Sequence, residues 1–436
     1  MATASASPLH RVLHAAALLV GVGSGCPTVT VLDAGVLDAG VLDAGVVDDA
    51  GPHDAGEDGG SDADAGIDDG GADAGDEDAG PADAGAPDAG CGAAGPAVPC
   101  PGCSAPAGAI VDLGGFQSTS APEAPLVRTD GERVLLFSDS PETPTTSGLL
   151  LSAVVPSGSA RVVLYHVNGY AGGDKKVSVV VENDGAAAVS AHLERFAVPP
   201  PSTSYVAQGQ AAVRDFLGAA NAADKTIPAM GAALLLVENL DAIAVAPGEL
   251  LHAIIDVRFD GPVRVRVVML DATSDTLASY ASLAALPRDV HDRGSFAGAD
   301  RRLALDGCAW SDGAQRVRVG ADTLLLPDPR GVDELTGSSA VLRGHYGTLV
   351  SVALPITAVD RAVLLVPRAG SYAGAARVTV GAGAPVVVDL PAAGSLDSNT
   401  TGALLGLVPA GAEALIETMP AGGSSLPVDL VVLPLP

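Results

Sequence analysis

From about residue 105 onward, short apolar runs alternate with segments rich in Gly, Asp, Asn and Pro. Three pairs of apolar runs flank the turn sequences PSGS at 156–159, NDG at 183–185 and DG at 260–261. Such turns between alternating segments are strong local signals of a β-hairpin. The segments HLERF and RVRVV alternate polar with apolar residues, as half-buried strands do. The pattern predicts a mainly β protein in which these runs pair as hairpins.

A second strand-rich block follows a loop around 286–300. Its segments GTLVSVALPITAVDRAVLLVPRAG and AARVTVGAGAPVVVDLP each predict a pair of strands, and LPVDLVVLPLP predicts a last strand. Turn signals recur about every 8–12 residues, a spacing typical of β-sandwiches. We therefore predict two β-sandwich-like domains, at 105–285 and 286–436.

Residues 204–223 (SYVAQGQAAVRDFLGAANAA) break the β pattern, because their apolar residues recur near the helical period. These apolar residues are Tyr205, Val206, Ala212, Val213, Phe216 and Leu217. Ser202 or Ser204 stands where a helix N-cap is expected. The sequence predicts one short helix at about 204–223.

The first 26 residues have the three-part pattern of a secretory signal peptide. Arg11 lies near the start, an apolar stretch runs from Val12 to Val22, and small residues follow up to Cys26. The stretch is shorter than the ~20 apolar residues that a membrane-spanning helix needs. We predict an exported protein.

Ser24 and Gly25 directly precede Cys26 and resemble the lipobox of bacterial lipoproteins, in which the cysteine receives the lipid. A lipobox usually has Leu three positions before the cysteine, and Gly23 stands there. We predict lipidation at Cys26 and a place in the outer membrane or at the cell surface. Cleavage by ordinary signal peptidase and secretion in soluble form remain the alternative.

Residues 27–104 form a repetitive acidic segment. VLDAG occurs three times in 31–45, and the whole segment contains 18 Asp and Glu residues and no Lys or Arg. A period of five matches neither a helix nor a strand, and like charges oppose compaction. We predict a disordered tether spanning roughly 45–55 Å. Calcium binding is the alternative, but the ligand spacing of a calcium loop is missing.

The net charge of −29 and the scattered Lys and Arg residues argue against nucleic acid as a partner. Lys occurs only at positions 175, 176 and 225, so a polybasic membrane surface is not expected. The predicted membrane contact is the lipid anchor alone. Aromatic residues make up 3% of the chain, which counts against a sugar-binding platform of exposed rings.

Lipidation of Cys26 would leave four cysteines, Cys91, Cys100, Cys103 and Cys308. An even number in an exported chain predicts disulfides among them, with three possible connectivities. The CPGC sequence at 100–103 also matches a redox pair, but prolines and a strand-like segment surround it rather than a helix. A zinc site with a distant fourth ligand is a further alternative.

Six segments in order resemble a set of uncharacterised secreted bacterial proteins, some of which carry a copper-amine-oxidase-like stalk module. They are LLFSDSPE (135–142), LYHVNG (164–169), PPSTSYVAQGQAAVRDFL (200–217), LPRDVHDRGSF (286–296), GHYGTLVSVALPI (344–356) and VPRAGSYAG (366–374). The resemblance implies an exported, envelope-associated β-protein and no known reaction. Oxidase chemistry does not transfer, because the chain has no Asn-Tyr pair and no His-x-His. The tether resembles the acidic Asp-Ala-Gly tethers of lipoproteins from some GC-rich Gram-negative bacteria.

The densest polar cluster lies at 288–301. It contains Arg288, Asp289, His291, Asp292, Arg293, Asp300 and Arg301. Asp289, His291 and Asp292 could bind a metal or form an acid–base pair. The structural alternative is a polar loop between domains with paired charges.

Other candidates lie in the predicted strands and turns. Asp139 and Glu142 could act together in glycoside hydrolysis, or cap a turn. His166, beside Tyr165 and Asn168, and His345, beside Arg343 and Tyr346, are expected to be hydrogen-bonded structural histidines. No nucleophile elbow, HExxH, P-loop or dinucleotide motif occurs after the leader.

These patterns favour a non-enzymatic cell-surface lipoprotein that displays β-domains for binding or for a structural envelope role. One alternative is an envelope hydrolase or metal-dependent enzyme that uses the 286–301 loop, and another is a carbohydrate-binding protein. The sequence assigns no cofactor and no metal. Convergence of Asp139, His166, His291 and Asp292 in one cleft would favour the enzyme.

Cys26→Ser should abolish incorporation of labelled fatty acid, because the lipid is attached through the thiol. Metabolic labelling followed by immunoprecipitation measures it, with Cys91→Ser as the matched control. Equal labelling of the Cys26→Ser variant would contradict the prediction.

Overall fold

The computed structural model describes residues 100, 102–306, 310–311 and 313–435. All of them belong to one compact unit, 83–436. The predicted signal peptide, nearly all of the predicted tether, and Cys26, Cys91 and Cys308 lie outside the described residues. Within the described ranges, no helix is long and apolar enough to cross a membrane.

The strands and helices are numbered in chain order. The first half contains β1 (Ile110–Asp112), β2 (Leu126–Asp130), β3 (Val134–Ser138), β4 (Gly148–Val155), β5 (Gly158–Val167), β6 (Lys175–Asn183), β7 (Val189–Ala197), α1 (Tyr205–Gly218), β8 (Ala223–Ile227), β9 (Gly231–Leu234), β10 (Leu250–Phe259), β11 (Val263–Asp271) and α2 (Thr276–Ser279). The second half contains β12 (Arg293–Phe296), β13 (Asp300–Leu305), β14 (Gln315–Val319), β15 (Arg330–Asp333), β16 (Ser338–Val341), β17 (Leu349–Leu354), β18 (Arg361–Pro367), β19 (Gly374–Val380), β20 (Val386–Leu390), β21 (Thr401–Val408), β22 (Ala414–Thr418) and β23 (Val428–Pro434).

The strands form four sheets, which pack as two sandwiches. The first sandwich joins an eight-stranded sheet, β16-β15-β12-β3-β5-β10-β7-β8, to a four-stranded sheet, β4-β11-β6-β9, over a shared core of Val, Leu and Ile. The second joins a five-stranded sheet, β1-β21-β18-β23-β14, to a six-stranded sheet, β2-β13-β17-β22-β19-β20. The mainly β class is confirmed.

The predicted hairpins in the first half are wrong, although their strands and turns exist. β4, β6 and β11 lie in the four-stranded sheet, whereas their predicted partners β5, β7 and β10 lie in the eight-stranded sheet. Each turn therefore carries the chain across the core. The two strands meet face to face because both carry fully buried apolar residues, such as Leu151 on β4 and Val162 on β5. A turn sequence specifies that the chain reverses direction. Burial of apolar side chains decides whether the second strand pairs in the same sheet or packs in the facing sheet.

The same distinction applies in the second half. β17 and β18 were predicted to pair, but they lie in different sheets of the second sandwich. β19 and β20 do pair as an antiparallel hairpin, as predicted. β23 at Val428–Pro434 confirms the predicted last strand.

In both sandwiches, strands from before the predicted domain boundary at residues 285 and 286 pair with strands from after it. β1 and β2, from the first half, pair with β21 and β13 of the second sandwich. β12, from the second half, pairs with β3 and extends the eight-stranded sheet toward β15 and β16. Each sandwich therefore contains strands from both halves of the chain.

The predicted helix is present as α1, although it is shorter than expected. It ends at Gly218, and β8 already begins at Ala223. Ser204 occupies the N-cap position but makes no side-chain capping bond. The buried face of the helix, including Ala212, Val213, Phe216 and Leu217, packs in a core that contains residues of the eight-stranded and six-stranded sheets. The helix thus fills the layer between the two sandwiches.

Arg161 of β5 is fully buried at this junction, and all five of its N–H groups are bound. Two go to the carboxylate of Asp256 on β10, at 2.8 and 3.0 Å. The others go to the carbonyls of Ala299 and Gly347 and to the carboxylate of Asp300, at 2.8–3.1 Å. Ala299 directly precedes β13, Asp300 is the first residue of β13, and Gly347 lies just before β17, so one side chain links the two sandwiches.

Four other residues considered in the sequence analysis make bonds within the protein. Cys100 and Cys103 form a disulfide, and Cys103 is buried against the outer face of the five-stranded sheet. Arg293 is buried and pairs with Asp333 at 3.0 Å. Arg301 donates to the carbonyl of Pro327 at 2.7 Å.

Asp256→Asn should destabilise the protein by about 3–5 kcal/mol, because it leaves the buried guanidinium of Arg161 without its main counter-charge. Urea unfolding at neutral pH measures the loss. Asp215→Asn, which breaks an exposed ion pair with Arg214 on α1, is the control and should cost under about 1 kcal/mol. Equal costs for the two variants would show that the buried pair is not a main contributor.

Candidate functional site

A cavity of about 200 Å³ lies where the eight-stranded sheet faces two loops of the second sandwich. β3, β5 and β10 supply one wall, and residues 346–347 and 419–423 supply the opposite wall. The 286–292 segment, which precedes β12, closes one side through His291. The lining residues are Phe137, Asp139, Glu142, Val163, Tyr165, His252, His291, Tyr346, Gly347, Met419, Pro420, Gly422 and Gly423.

Strand alternation places the aromatic residues on this wall. Tyr165 and His252 are directly opposite each other in the antiparallel pair β5–β10, so their side chains share one face of the sheet. Their rings are 5.3 Å apart between centroids and pack edge to face at 73°. Both side chains are buried, and His252 Nδ1 has no hydrogen-bond partner. Burial lowers the pKa of His252 to about 4, so this imidazole is neutral at physiological pH.

Glycines allow the loop at 419–423 to reach the wall. A Cβ on Gly422 would lie 2.5 Å from the ring of Tyr165, and Gly423 has a φ of +71°. On the far side of the loop, a Cβ on Gly209 of α1 would lie only 1.8 Å from the carbonyl oxygen of Gly422. A side chain at Gly422 would push the loop away from Tyr165, and one at Gly209 would collide with the loop from the side of the helix.

Asp139, the first residue after β3, is the least compensated acidic group of the cavity. Burial raises the pKa of Asp139 well above its ordinary value, and the charges of Glu142, Asp289 and Asp292 raise it further. Its Oδ1 atom is buried and has no hydrogen-bond partner in the structure. No basic group contributes to lowering this pKa.

Unlike Asp139, Asp289 is well supplied with hydrogen-bond donors. Its carboxylate accepts hydrogen bonds from Ser140 Oγ at 2.9 Å and from the backbone N–H groups of Glu142 and His291 at 2.8 and 2.9 Å. Burial alone would raise the pKa of Asp289, but these bonds outweigh it and lower the pKa to about 2. The carboxylate therefore stays charged and ties the 286–292 segment to the loop after β3.

The imidazole of His291 lies between two carboxylates. Nε2 is 3.1 Å from Glu142 Oε2, and Nδ1 is 3.1 Å from Asp289 Oδ2. These two contacts fix the position of the His291 ring between the loop after β3 and the segment before β12. Of the densest sequence cluster, His291 is the member that lines the cavity.

Convergence of four residues in one cleft, Asp139, His166, His291 and Asp292, was expected to favour an enzyme over a binding protein. Asp139 and His291 line the same cavity. Asp292 lies beside it, 3.4 Å from Arg288, and raises the pKa of Asp139 through its charge. His166 is fully buried on the other face of β5, bonded to Ser138 Oγ and to the Pro141 carbonyl, both at 2.9 Å. The convergence is therefore partial.

The predicted 286–301 loop is not a single loop. Residues 293–296 are β12, and β13 begins at Asp300, whose carboxylate binds Arg161 and Arg133 in the junction between the sandwiches. Only the first part of the segment, up to residue 292, lies at the cavity. No three His, Cys, Asp or Glu side chains in the described ranges are arranged to hold a metal ion.

Sequence reasoning missed Tyr165, His252 and the 419–423 loop. Strand alternation could have indicated Tyr165. Consecutive residues of a strand face opposite sides of the sheet, so Tyr165 faces the cavity when its neighbour His166 does not. Tyr346 was also missed, although its neighbour His345 was considered. His345 is buried 3.0 Å from Asp328, whereas Tyr346 lines the cavity and donates to the Ser424 carbonyl at 3.1 Å. Burial and the charges of nearby carboxylates raise the pKa of Tyr346 to about 12, so it remains a hydroxyl.

No family model matches the chain, and no curated protein matches it. Among solved structures, the chain is similar to vicilin from tomato (Solanum lycopersicum), with 8% identity, a TM-score of 0.13 and coverage of 65% of this chain and 73% of that one. It is also similar to the formate complex of Lactobacillus farciminis oxalate decarboxylase, with 11% identity, a TM-score of 0.13 and coverage of 70% and 88%. TM-scores this low carry no argument about fold, ligand or reaction.

Asp139→Asn should flatten part of the pH dependence of stability. The folded-state pKa of Asp139 is above its unfolded value, so its contribution is most favourable below pH 3.8 and is lost as the pH rises through the folded pKa. Asn does not titrate, so the variant should be more stable than the wild type at neutral pH. Urea unfolding across the pH range measures this.

Asp184→Asn, at the exposed tip of the turn between β6 and β7, is the control and should leave the free energy of unfolding at neutral pH unchanged. A loss of stability in Asp139→Asn at neutral pH would mean that the Asp139 carboxylate is satisfied in the folded protein.

Proposed function

We propose that this protein is an exported surface lipoprotein that binds a small molecule in the cavity between its two sandwiches. The observation that carries the proposal is an aromatic-lined cavity in which Asp139 Oδ1 and His252 Nδ1 have no hydrogen-bond partner. A concave, mostly apolar site with a few convergent polar groups is the usual form of a ligand pocket. The lipid anchor on Cys26 and the acidic tether belong to the same proposal, as the means of holding the receptor away from a membrane.

The size of the cavity restricts the ligand. Small-molecule sites usually enclose about 300–1,000 Å³, and an apolar cavity of about 150 Å³ can hold benzene. A volume of about 200 Å³ suits a compact ligand, on the order of ten non-hydrogen atoms. A sugar fits this site less well, because its hydroxyl groups would face Phe137, Val163 and Met419 without hydrogen-bond partners.

A second candidate function is acid–base catalysis in the same cavity. It is favoured by the raised pKa of Asp139 in the same cavity as His291, which lies between Glu142 and Asp289. A carboxylic acid that stays protonated can serve as a general acid, and a nearby carboxylate or imidazole as a base. Turnover of a bound ligand that is lost in Asp139→Asn, with binding retained, would favour this function over binding alone.

Met419→Trp should block ligand binding, because the larger side chain would occupy the cavity. Thermal-shift and native mass-spectrometry screens of the full mature chain against a library of compact neutral, cationic and anionic molecules would supply the ligands. We expect Met419→Trp to weaken the affinity of each hit by at least about tenfold. Met230→Trp makes the same change at an exposed position and should bind normally.

Two outcomes would contradict the proposal. One is a wild-type protein that no member of the library stabilises, and the other is a folded Met419→Trp variant that binds every hit as the wild type does. If Met419→Trp does not fold, Phe137→Ala supplies the second test, because enlarging the cavity should shift the preference toward larger hits.

A further inference from the structure

We propose that the cavity binds a small organic cation, an amine or quaternary ammonium whose charged nitrogen lies against Asp139. This inference rests on the proposed function, since it names the chemical class of the ligand for the same cavity.

The carboxylates around the cavity differ in how they are compensated. Asp289 accepts three hydrogen bonds, Glu142 lies 3.1 Å from the imidazole of His291, and Asp292 lies 3.4 Å from an arginine. Asp139 has a buried oxygen without any partner. A positive charge is therefore missing at Asp139.

The basic side chains near the cavity lie against other carboxylates than Asp139: His291 lies against Glu142 and Asp289, and Arg288 lies against Asp292. The titratable groups near it are Glu142 from its own loop, Tyr165 from β5, His252 from β10, Asp289, His291 and Asp292 from the segment before β12, and Tyr346 from the second sandwich. None of the described residues that line the cavity is Lys or Arg. His252 is neutral at physiological pH because burial lowers its pKa. A cationic ligand would supply the missing counter-charge.

Aromatic rings line the cavity together with Asp139. Phe137, Tyr165 and Tyr346 line the cavity together with the neutral ring of His252. Cations are attracted to the faces of aromatic rings, by about 2 kcal/mol or more where water is excluded. Clusters of aromatic rings are the usual recognition site for quaternary ammonium groups, and here Asp139 adds a carboxylate to the rings.

Other ligand classes fit less well. An anion would be repelled by Asp139 and Glu142, and a neutral ligand would offer Asp139 at most a hydrogen bond and no counter-charge. Val163, Met419 and Pro420 face the remaining volume and suit the alkyl substituents of an amine. Since a cation stabilises the charged form of Asp139, binding should release its proton wherever the free site is protonated.

Isothermal titration of the full mature chain tests the inference with matched probes. Choline and n-butylamine are the cations. The uncharged carbon isostere of choline, in which a quaternary carbon replaces the nitrogen, is the neutral reference. We expect at least one cation to bind at least about tenfold more tightly than the neutral isostere.

Asp139→Asn should weaken cation binding by at least about tenfold and leave the affinity for the neutral isostere unchanged. Asp184→Asn is the control and should leave both unchanged. Titrations in two buffers of different ionisation enthalpy, repeated at several pH values, should show proton release from the wild type that grows as the pH falls toward the ordinary range of an aspartate, and none in Asp139→Asn. This readout would not respond to a merely structural role of Asp139.

The results separate this inference from the proposed function. If neutral molecules bind in the cavity at least as tightly as every cation, the cation inference is wrong and the small-molecule site stands. Cation binding that survives Asp139→Asn with unchanged affinity also overturns it. If neither cations nor neutral molecules bind, both proposals fail.

Discussion

The arrangement of the two sandwiches depends on one buried ion pair, Arg161 with Asp256. A guanidinium withdrawn from water is tolerated only when its donors are bound, and here all five are. Two donors join neighbouring strands of one sheet, and three reach backbone or carboxylate oxygens of segments that lead into the second sandwich. Because each of these acceptors must be in place, the pair specifies how the second sandwich sits against the first.

The cavity is a consequence of that arrangement. Gly347, whose carbonyl binds Arg161, directly follows Tyr346 and also lines the cavity. A displacement that freed this carbonyl would therefore move part of the cavity wall as well. Helix α1 supports the same junction from the other side, where Phe216 packs under Arg161 and Arg195, with the Arg195 guanidinium 4.1 Å from the ring centre. The polar junction and the candidate site are thus two parts of one interface.

The acidic residues of the site show why composition alone says little about chemistry. Asp139 and Asp289 are both carboxylates of one cavity region, yet hydrogen bonds lower the pKa of one while burial and repulsion raise the pKa of the other. The sequence indicated Asp139, Glu142 and His291 as candidates because polar residues stood out between apolar runs. It could not rank them, since the ranking depends on which backbone N–H groups and charges surround each carboxylate.

The sequence by itself determined the local structure of this protein. Alternating apolar residues specified the strands, helical spacing specified α1, and Gly, Asp and Asn specified where the chain turns, because these are properties of neighbouring residues. Only the tertiary structure decided which strands pair and which turns cross a core, as β4 and β5 illustrate. It also brought Asp139, Tyr165, His252, His291 and Gly422 together from five distant segments. Burial and charge pairing act between residues far apart in the chain, and no local pattern records which of them will meet.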